Sequence, residues 1–575
     1  MPHAASGAYN KPRPLDLSVV VIDDEISWCR QVCKQLTASA KSAVSATAAS
    51  RRIENNIRLS FHPFTPQKEE NAATFIARFE TWLEGKSTQP AIPKNLSALV
   101  FDLQIPLRRA TELVEAPALA SIAKRISPNT LRFLLTNYDP DTMIAEPRTI
   151  FDKLVRKPIL ANPGGLEQLI EYIMSKLAPQ LEAKYWEGLR EFANREKIVM
   201  HALANTHQRT RIQSVSLDDF SDFFGRRYFS AEASSTAAPL GSLLHSGHNL
   251  AVAEQRLATT FGASYCRFVT NGTTTANKIV HLALCRSDSL VFLDRFCHIS
   301  HHHATALGRS WPSYIPARYD QIHGIPSQVT PQSVVAAITS CLDEGGSTAK
   351  LPALIALTNC TFDGLVLPPE QLFRDVRNAL EIRNIGHRLR EVVFLFDEAW
   401  FGFARFHPKY APYSALTAKA NLSAMDAYWD QNLRVYVTQS VHKTMSAFRQ
   451  ASVILANDPV LDGINCELQE RMELQQRLEV AFNAHTSTSP HAGMLASIDC
   501  GRRQIALEGR DLISGAIALA DEFRAFIDDL GGKYKNSNGG PALNCLRQFD
   551  LLNQDERDQG LILDDTKVTL ENTLG

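Results

Sequence analysis

The first 163 residues alternate between short apolar runs and segments with apolar residues at helical spacing. Strands that alternate with helices in this way form a parallel, doubly wound sheet. The pattern therefore predicts a separate N-terminal α/β domain over residues 1–163. Its predicted strands are Leu17–Asp24, Ala98–Asp102, Leu131–Thr136 and Val155–Pro158, and its predicted helices are Ile26–Leu36, Asn71–Leu83 and Pro117–Arg125.

Helical spacing continues beyond this domain. Over residues 164–205, Leu169, Ile173 and Leu177 share one apolar face, and the opposite face is rich in Glu, Lys and Arg. Small and polar residues follow at 230–239, as is typical of a linker or a loop. We therefore predict a helical linker over residues 164–235.

The segment 438–452 has the composition expected around a lysine that bonds to an aldehyde. Ser440 and His442 precede Lys443, and most residues after it are small, which leaves room for a flat ring. A lysine amine is a good nucleophile once burial or a nearby cation lowers its pKa. The hydroxyl of Ser440 is suited to bind a phosphate.

A second segment, 267–278, combines a short strand, a glycine and three threonines with the start of a helix. The first turn of a helix presents free N–H groups to an anion, so Thr274 and Thr275 are candidate phosphate ligands. An ordinary threonine cap is the alternative interpretation.

In two further segments, a polar residue lies at or just after the end of an apolar strand. His298 follows the run 290–293 and can lie flat over a ring. Asp397 ends the run 392–397, where a carboxylate at the sheet edge can hold a proton on a pyridine nitrogen, and Trp400 can wall the pocket. A structural aspartate that caps the next segment is the alternative for Asp397.

Four histidines fall within six positions, 298–303, and raise the question of a metal site. His298 and His302 are spaced to share a helix face, but no carboxylate or cysteine pattern completes a ligand set. We expect no metal there. His301, His302 and His303 are instead predicted to form a polar helix start at the mouth of a pocket.

Together these segments resemble the Orn/Lys/Arg decarboxylase family of fold-type I pyridoxal-phosphate enzymes, from about Phe220 to the C-terminus. The strings at 240–247, 358–364 and 485–490 agree with it. One position departs from the family pattern: Arg449 stands where the family has a small residue before Gln-Ala-Ser. If Arg449 faces the site, cofactor packing or substrate entry is altered; if it faces outward, nothing follows.

The resemblance implies a role for each candidate. Lys443 would bond to pyridoxal phosphate, Asp397 would pair with its ring nitrogen, and His298 would stack on the ring. His442 would lie near the phosphate or assist proton transfer, and Trp400 would line the pocket. The residues implied to hold the phosphate are Thr274, Thr275 and Ser440.

The resemblance also implies the reaction, the assembly and the domain plan. A basic amino acid would lose CO2 to give an amine, and the segment after Asp397 favours arginine over lysine and ornithine. A homodimer or higher homo-oligomer is expected, with Thr486–Thr488 as candidates for a contact across subunits. Residues 236–505 would be the fold-type I large domain and 506–575 the start of a small domain.

That C-terminal part looks incomplete. After the helical pattern Asp511–Leu530 it offers one good strand, Thr566–Leu570, and a lone strand cannot bury its two faces. The sequence is therefore interpreted as a fragment, or as a chain whose activity is lost or completed by another chain. Together with Arg449, this leaves a second hypothesis: a catalytically impaired signalling or scaffold protein.

The acidic strand ends of the N-terminal domain resemble a response-regulator receiver, which has a flavodoxin-like fold. The resemblance implies that Asp102 accepts a phosphoryl group from a histidine kinase or another phosphodonor, with Thr136 and Lys157 in contact. Asp23, Asp24 and Asp102 would bind Mg2+. The alternative is a receiver-shaped wing that serves in oligomer assembly or binds a small molecule.

Composition excludes several other classes. The chain has 575 residues, 45% of them hydrophobic, with a net charge of −1, so nothing favours nucleic acid or an anionic membrane as a partner. We find no apolar run of membrane-spanning length and no secretory signal pattern. The ten cysteines are scattered. The sequence therefore predicts a cytoplasmic enzyme.

Overall fold

The computed structural model describes residues 15–23, 29–37, 57–65, 67, 70–86, 91–102, 104–106, 113–136, 150–156, 165–195, 218–234, 237, 240–317, 319–320, 325–345 and 350–535. The chain divides into two compact units, Met1–Leu181 and Glu182–Gly575. This division lies later than the predicted boundary at 163/164, so the helix Gly165–Leu181 belongs to the first unit.

The first unit is built on a five-stranded parallel sheet in the order β2-β1-β3-β6-β7. Counting only the strands of this sheet, the order is 2-1-3-4-5, the flavodoxin-like doubly wound order. The predicted α/β class is therefore confirmed. The strands of the unit are β1 (Leu15–Ile22), β2 (Ile57–Phe64), β3 (Leu96–Asp102), the short hairpin β4 (Gln104–Pro106) and β5 (Leu113–Glu115), β6 (Leu131–Thr136) and β7 (Lys153–Arg156).

Strand β2 is one that the sequence analysis did not predict. It interrupts its apolar residues with Arg58, His62 and Pro63. Proline cannot donate to a neighbouring strand and is tolerated at a sheet edge, and β2 is the edge strand of this sheet. Its last residue, Phe64, is buried in an aromatic cluster, 4.8 Å from Trp82 between ring centroids.

Two helices of the first unit, Ala72–Leu83 and Ala116–Ile126, begin and end within one residue of their predicted positions. Asn71 caps the first of them through a reciprocal capping box with Thr74, which satisfies two otherwise unpaired N–H groups. Residues 29–37 are also helical. The labelled helices are α1 (Ala72–Leu83), α2 (Ala116–Ile126) and α3 (Gly165–Leu181).

The second unit is built on a seven-stranded mixed sheet in the order β10-β9-β13-β14-β15-β16-β8. Strand β16 runs antiparallel to both of its neighbours, and the other pairs are parallel. The carboxyl ends of β8, β9, β13, β14 and β15 therefore lie at one edge. The strands are β8 (Tyr265–Val269), β9 (Leu290–Asp294), β10 (Trp311–Ile315), β13 (Leu354–Thr358), β14 (Val393–Asp397), β15 (Arg434–Gln439) and β16 (Ser452–Asn457), with β11 (Tyr319–Asp320) and β12 (Ile325–Pro326) as a separate hairpin.

Helices cover this sheet and extend into the predicted linker. Within that linker, Lys184–Asn194 packs into the core of the second unit, where Tyr185 and Leu189 are buried. The helices are α4 (Lys184–Asn194), α5 (Asp218–Phe224), α6 (Arg226–Ser230), α7 (His248–Phe261), α8 (Gly272–Leu284), α9 (Ile299–Gly308), α10 (Pro331–Gly345), α11 (Pro369–Glu381), α12 (Ala415–Met425), α13 (Tyr428–Asn432), α14 (Val441–Thr444), α15 (Pro459–Asp462), α16 (Leu468–His485) and α17 (Ala492–Lys535).

Helix α17 is continuous across the predicted boundary between residues 505 and 506. It has 44 residues, so the predicted helix Asp511–Leu530 is its second half and not the start of a separate element. The predicted strand Thr566–Leu570 lies outside the described residues. Within the described part of the chain, no helix combines the length and apolar content needed to cross a bilayer.

Candidate active site

Asp397 is the last residue of β14, where its carboxylate is buried and held by three donors. It accepts hydrogen bonds from Asn277 Nδ2 (2.9 Å), His301 Nε2 (3.2 Å) and the Ala399 N–H (3.0 Å). Burial acts to raise the pKa of Asp397, but the hydrogen bonds that it accepts, first among them the one from His301, outweigh burial, and the net pKa is lowered. Asp397 is therefore an ionised carboxylate inside the protein, at the ligand-binding edge of the sheet.

Helix α8 carries a row of three buried polar side chains, Thr273, Asn277 and His281, spaced four residues apart on one face. Each reaches a different element. Thr273 Oγ1 shares a hydrogen bond with Ser440 Oγ (2.7 Å), and His281 Nε2 lies 3.0 Å from Nδ1 of His301. Asn277 bonds to Asp397 and also accepts from Thr438 Oγ1, so the row links the ends of β14 and β15.

The first turn of α8 faces the same edge. It begins at Gly272, whose φ of +76° favours glycine. Thr273 is buried beside Ser440, whereas the predicted phosphate ligands Thr274 and Thr275 are exposed and half-buried respectively. The helix N-terminus with two adjacent hydroxyl groups forms a site of the kind that binds a phosphate.

Lys443 lies on the short helix α14, directly after β15, and is exposed. Its backbone N–H donates to the carbonyl of Ser440 (2.8 Å), and the Ser440 N–H donates to the carbonyl of Ala399 (3.0 Å). These bonds join the segments that follow β14 and β15. Lys443 and Asp397 therefore follow neighbouring strands at one edge of the sheet.

His298 lies close enough to Asp397 and Lys443 for their charges to affect its pKa. Burial lowers its pKa, the charge of Asp397 acts to raise it, and the charge of Lys443 lowers it further. His298 caps helix α9, where its Nδ1 accepts from the Ser300 N–H (3.2 Å). Lys443, Asp397 and His298 thus lie at the same edge of the sheet.

The remaining predicted residues lie around this centre. His442 Nδ1 donates to the carbonyl of Ala451 (2.8 Å), and burial lowers its pKa, with smaller effects of the charges of Lys443 and Arg449. Trp400 is half-buried against the core. Arg449 is exposed, and its charge acts to lower the pKa of His442.

The prediction for His301 was wrong. We expected a polar helix start at a pocket mouth, and His303 is indeed exposed and His302 half-buried, but His301 is fully buried and bonded to Asp397. Sequence reasoning also missed Thr273, Asn277 and His281. Their signal was available as polar residues spaced by four on an otherwise apolar helix face.

Glu398 is another buried acid that sequence reasoning did not single out. It accepts from the Ala415 N–H (3.0 Å), Asn359 Nδ2 (2.8 Å) and Gln439 Nε2 (2.9 Å). Burial raises its pKa to about 7 in spite of these bonds. Asn359 follows β13 and Gln439 ends β15, so Glu398 ties three neighbouring strand ends together and supports the position of Asp397.

In the first unit, Asp102 and Thr136 end β3 and β6, and Asp23 directly follows β1. Parallel strands bring these ends to one edge. The other two predicted residues, Asp24 and Lys157, lie outside the described residues. No group of three metal-ligand side chains forms among the residues that are described, so the predicted Mg2+ site has no structural support.

Comparison with known proteins shows the family of this chain. The sequence model described as "Orn/Lys/Arg decarboxylase, major domain" matches residues 184–550. The chain belongs to this family. It is 33% identical over 311 residues to the lysine decarboxylase LdcA of Pseudomonas aeruginosa, covering 53% of this chain and 37% of that protein. It is 32% identical over 332 residues to the constitutive ornithine decarboxylase of Escherichia coli, covering 54% and 42%.

The fold is similar to solved structures as well. The Francisella novicida lysine decarboxylase LdcF matches with a TM-score of 0.52 and 20% identity, over 92% of this chain and 63% of that one. At this identity the match shows the fold alone. The chain spans less than half the length of the two curated relatives named above.

Proposed function

We propose that this protein decarboxylates a basic amino acid with pyridoxal phosphate as its cofactor. The observation that carries the proposal is the buried, ionised Asp397 at the end of β14, beside a strand that leads into Lys443. A carboxylate kept ionised away from water is suited to hold a proton on a pyridine nitrogen. A lysine near the same edge is suited to bond to an aldehyde.

The donor set fits this cofactor part by part. Asp397 would hold the proton at the ring nitrogen, His298 would cover a ring face, and Lys443 would hold the aldehyde carbon. The turn that begins α8, with Thr274, Thr275 and the hydroxyls of Thr273 and Ser440, would bind the phosphate. When bound, pyridoxal phosphate withdraws electrons from the substrate's Cα, which allows the carboxylate to leave as CO2.

The family and the relatives support a basic substrate, and they bear on which one. The compared curated proteins are lysine and ornithine decarboxylases, so the predicted preference for arginine gains no support from them. We extend the proposal to any of the three amino acids. A homo-oligomer in the cytoplasm, with Thr486–Thr488 near a subunit boundary, remains part of the proposal.

Two measurements test this function. Purified protein with added pyridoxal phosphate is expected to show the visible absorption of a lysine-linked cofactor, because Lys443 lies at a site that fits its other groups. Amine release should then be assayed in parallel on lysine, ornithine and arginine. A colourless protein would reject the proposal. A coloured protein that releases CO2 from none of the three would favour the scaffold hypothesis.

We propose that the first unit is a phosphorylatable receiver. Its strand order and the positions of Asp23, Asp102 and Thr136 at one sheet edge support this. Acetyl phosphate with Mg2+ is expected to label the protein, because Asp102 ends a central strand, and Asp102→Asn should abolish labelling. Phosphorylation adds roughly −1.5 to −2 charge to the unit. Because a wing of this shape would serve in oligomer assembly, the added charge should change the size of the oligomer. Equal labelling of Asp102→Asn, or none of either protein, would contradict the assignment.

A further inference from the structure

We propose that His301 and His281 form a buried positioning pair that acts through Asp397 and keeps the proton it shares with the cofactor on the ring nitrogen. The inference rests on the proposed function and extends it. Neither histidine would touch substrate or cofactor. Both are positioning residues, and the group that they position is the carboxylate of Asp397.

The pair forms a chain of hydrogen bonds that starts at the site and ends inside the protein. Nε2 of His301 lies 3.2 Å from Asp397 Oδ2, and Nδ1 of His301 lies 3.0 Å from Nε2 of His281. Both rings are buried, with exposed fractions of 0% and 1%. His281 Nδ1 is buried without a hydrogen-bond partner in the described part of the protein, so the chain ends there.

The positions of the protons follow from this geometry. An ionised carboxylate only accepts hydrogen bonds, so His301 must donate from Nε2. Burial lowers the pKa of His281 well below its usual value, so His281 is neutral and carries one N–H. If that N–H is on Nε2, it donates to His301 Nδ1 and every N–H of the pair has a partner. The opposite tautomer would leave an unpaired buried N–H on His281 Nδ1, which is costly.

His281 therefore fixes the tautomer of His301, and His301 in turn makes Asp397 a weaker base. Without this donor, burial acts to raise the pKa of Asp397. The shared proton would then move from the ring nitrogen to the carboxylate, because the more basic partner holds it. Three other titratable groups, Asp294, His298 and His302, lie close enough to His301 for it to affect their pKa. All three are unchanged in the variants compared below.

The test compares two cofactors that differ only at the ring nitrogen. Pyridoxal phosphate and its 1-deaza analogue, in which carbon replaces that nitrogen, are titrated into the 575-residue chain. His301→Leu is expected to weaken pyridoxal phosphate binding about tenfold, as the loss of one hydrogen bond that holds a charged group in place implies, and to leave the affinity for the analogue unchanged. His301→Gln keeps an amide donor toward Asp397 and should restore most of the difference.

The variants of His281 test the hydrogen bond between His281 and His301 separately from the one between His301 and Asp397. His281→Leu should weaken pyridoxal phosphate binding less than His301→Leu does, and His281→Gln should restore it, because the amide can donate to His301 Nδ1. His303→Leu is the matched control, an exposed histidine on the same helix. With ring-15N cofactor, His301→Leu should move the nitrogen signal toward that of an unprotonated pyridine, and His303→Leu should not.

The possible outcomes distinguish a failure of this inference from a failure of the proposed function on which it rests. Equal losses of affinity for both cofactors, or an unmoved nitrogen signal in His301→Leu, would show a merely structural role and overturn the inference while the function stands. Wild-type protein that binds neither cofactor would reject the proposed function, and the inference with it. A His303→Leu variant that behaves like His301→Leu would also overturn it.

Discussion

Replacing Lys443 with alanine is expected to remove the visible absorption of the cofactor-loaded protein and to lower amine production by about a thousandfold or more. The reason is local. Lys443 follows β15 next to the segment after Asp397, and alanine offers no amine for the covalent link to the aldehyde. The side chain is exposed, so its removal should leave the fold intact. Absorption spectra and an amine assay on the preferred substrate measure both effects.

A matched lysine controls for loss of charge. Lys409 is exposed in the same unit and lies over the ring of Tyr410, 5.7 Å from Nζ to the ring centroid. Lys409→Ala should retain the absorption band and turnover, with an unchanged thermal midpoint in both variants. If Lys443→Ala keeps the band, another amine holds the cofactor, and the assignment of Lys443 is wrong.

The residues at the ends of strands could be predicted because the signal is local. An apolar run followed by Asp397 identifies both a buried strand and the polar residue at its end. Parallel strands then bring Lys443 and His298 to the same edge without any knowledge of side-chain packing. The alternation of strands and helices predicted the sheet of the first unit for the same reason.

The supporting residues could not be predicted, because their partners are distant in sequence. His301 sits in a histidine run that is typical of an exposed helix start, and only the fold shows that it meets Asp397, 96 positions away. Thr273 pairs with Ser440, 167 positions away. The continuity of α17 was missed for a different reason: the domain boundary at 505/506 was taken from the expected plan of the family rather than from a break in the helical pattern.

Replacing Asp458 with alanine is expected to destabilise the second unit by about 3–5 kcal/mol, as is usual when one partner of a buried ion pair is removed. Asp458 is fully buried and accepts two bonds to one oxygen and one to the other from Arg434, at 2.8–3.0 Å. It also accepts from the hydroxyl of Tyr436 and the N–H of Val460. Alanine leaves the Arg434 charge unpaired among buried groups. The loss is measured as the change in the free energy of unfolding, from urea unfolding monitored by a signal of the second unit.

An exposed pair provides the control for this effect. Arg383 and Asp343 are 2.9 Å apart, but the Asp343 side chain is 67% exposed, so water replaces the lost partner. Asp343→Ala should therefore cost only about 0–1 kcal/mol. Similar losses for Asp343→Ala and Asp458→Ala would mean that Arg434 finds new partners once the carboxylate is gone. A much larger loss for Asp458→Ala, with cofactor binding retained below the transition, would assign this pair to the stability of the sheet rather than to the chemistry at its opposite edge.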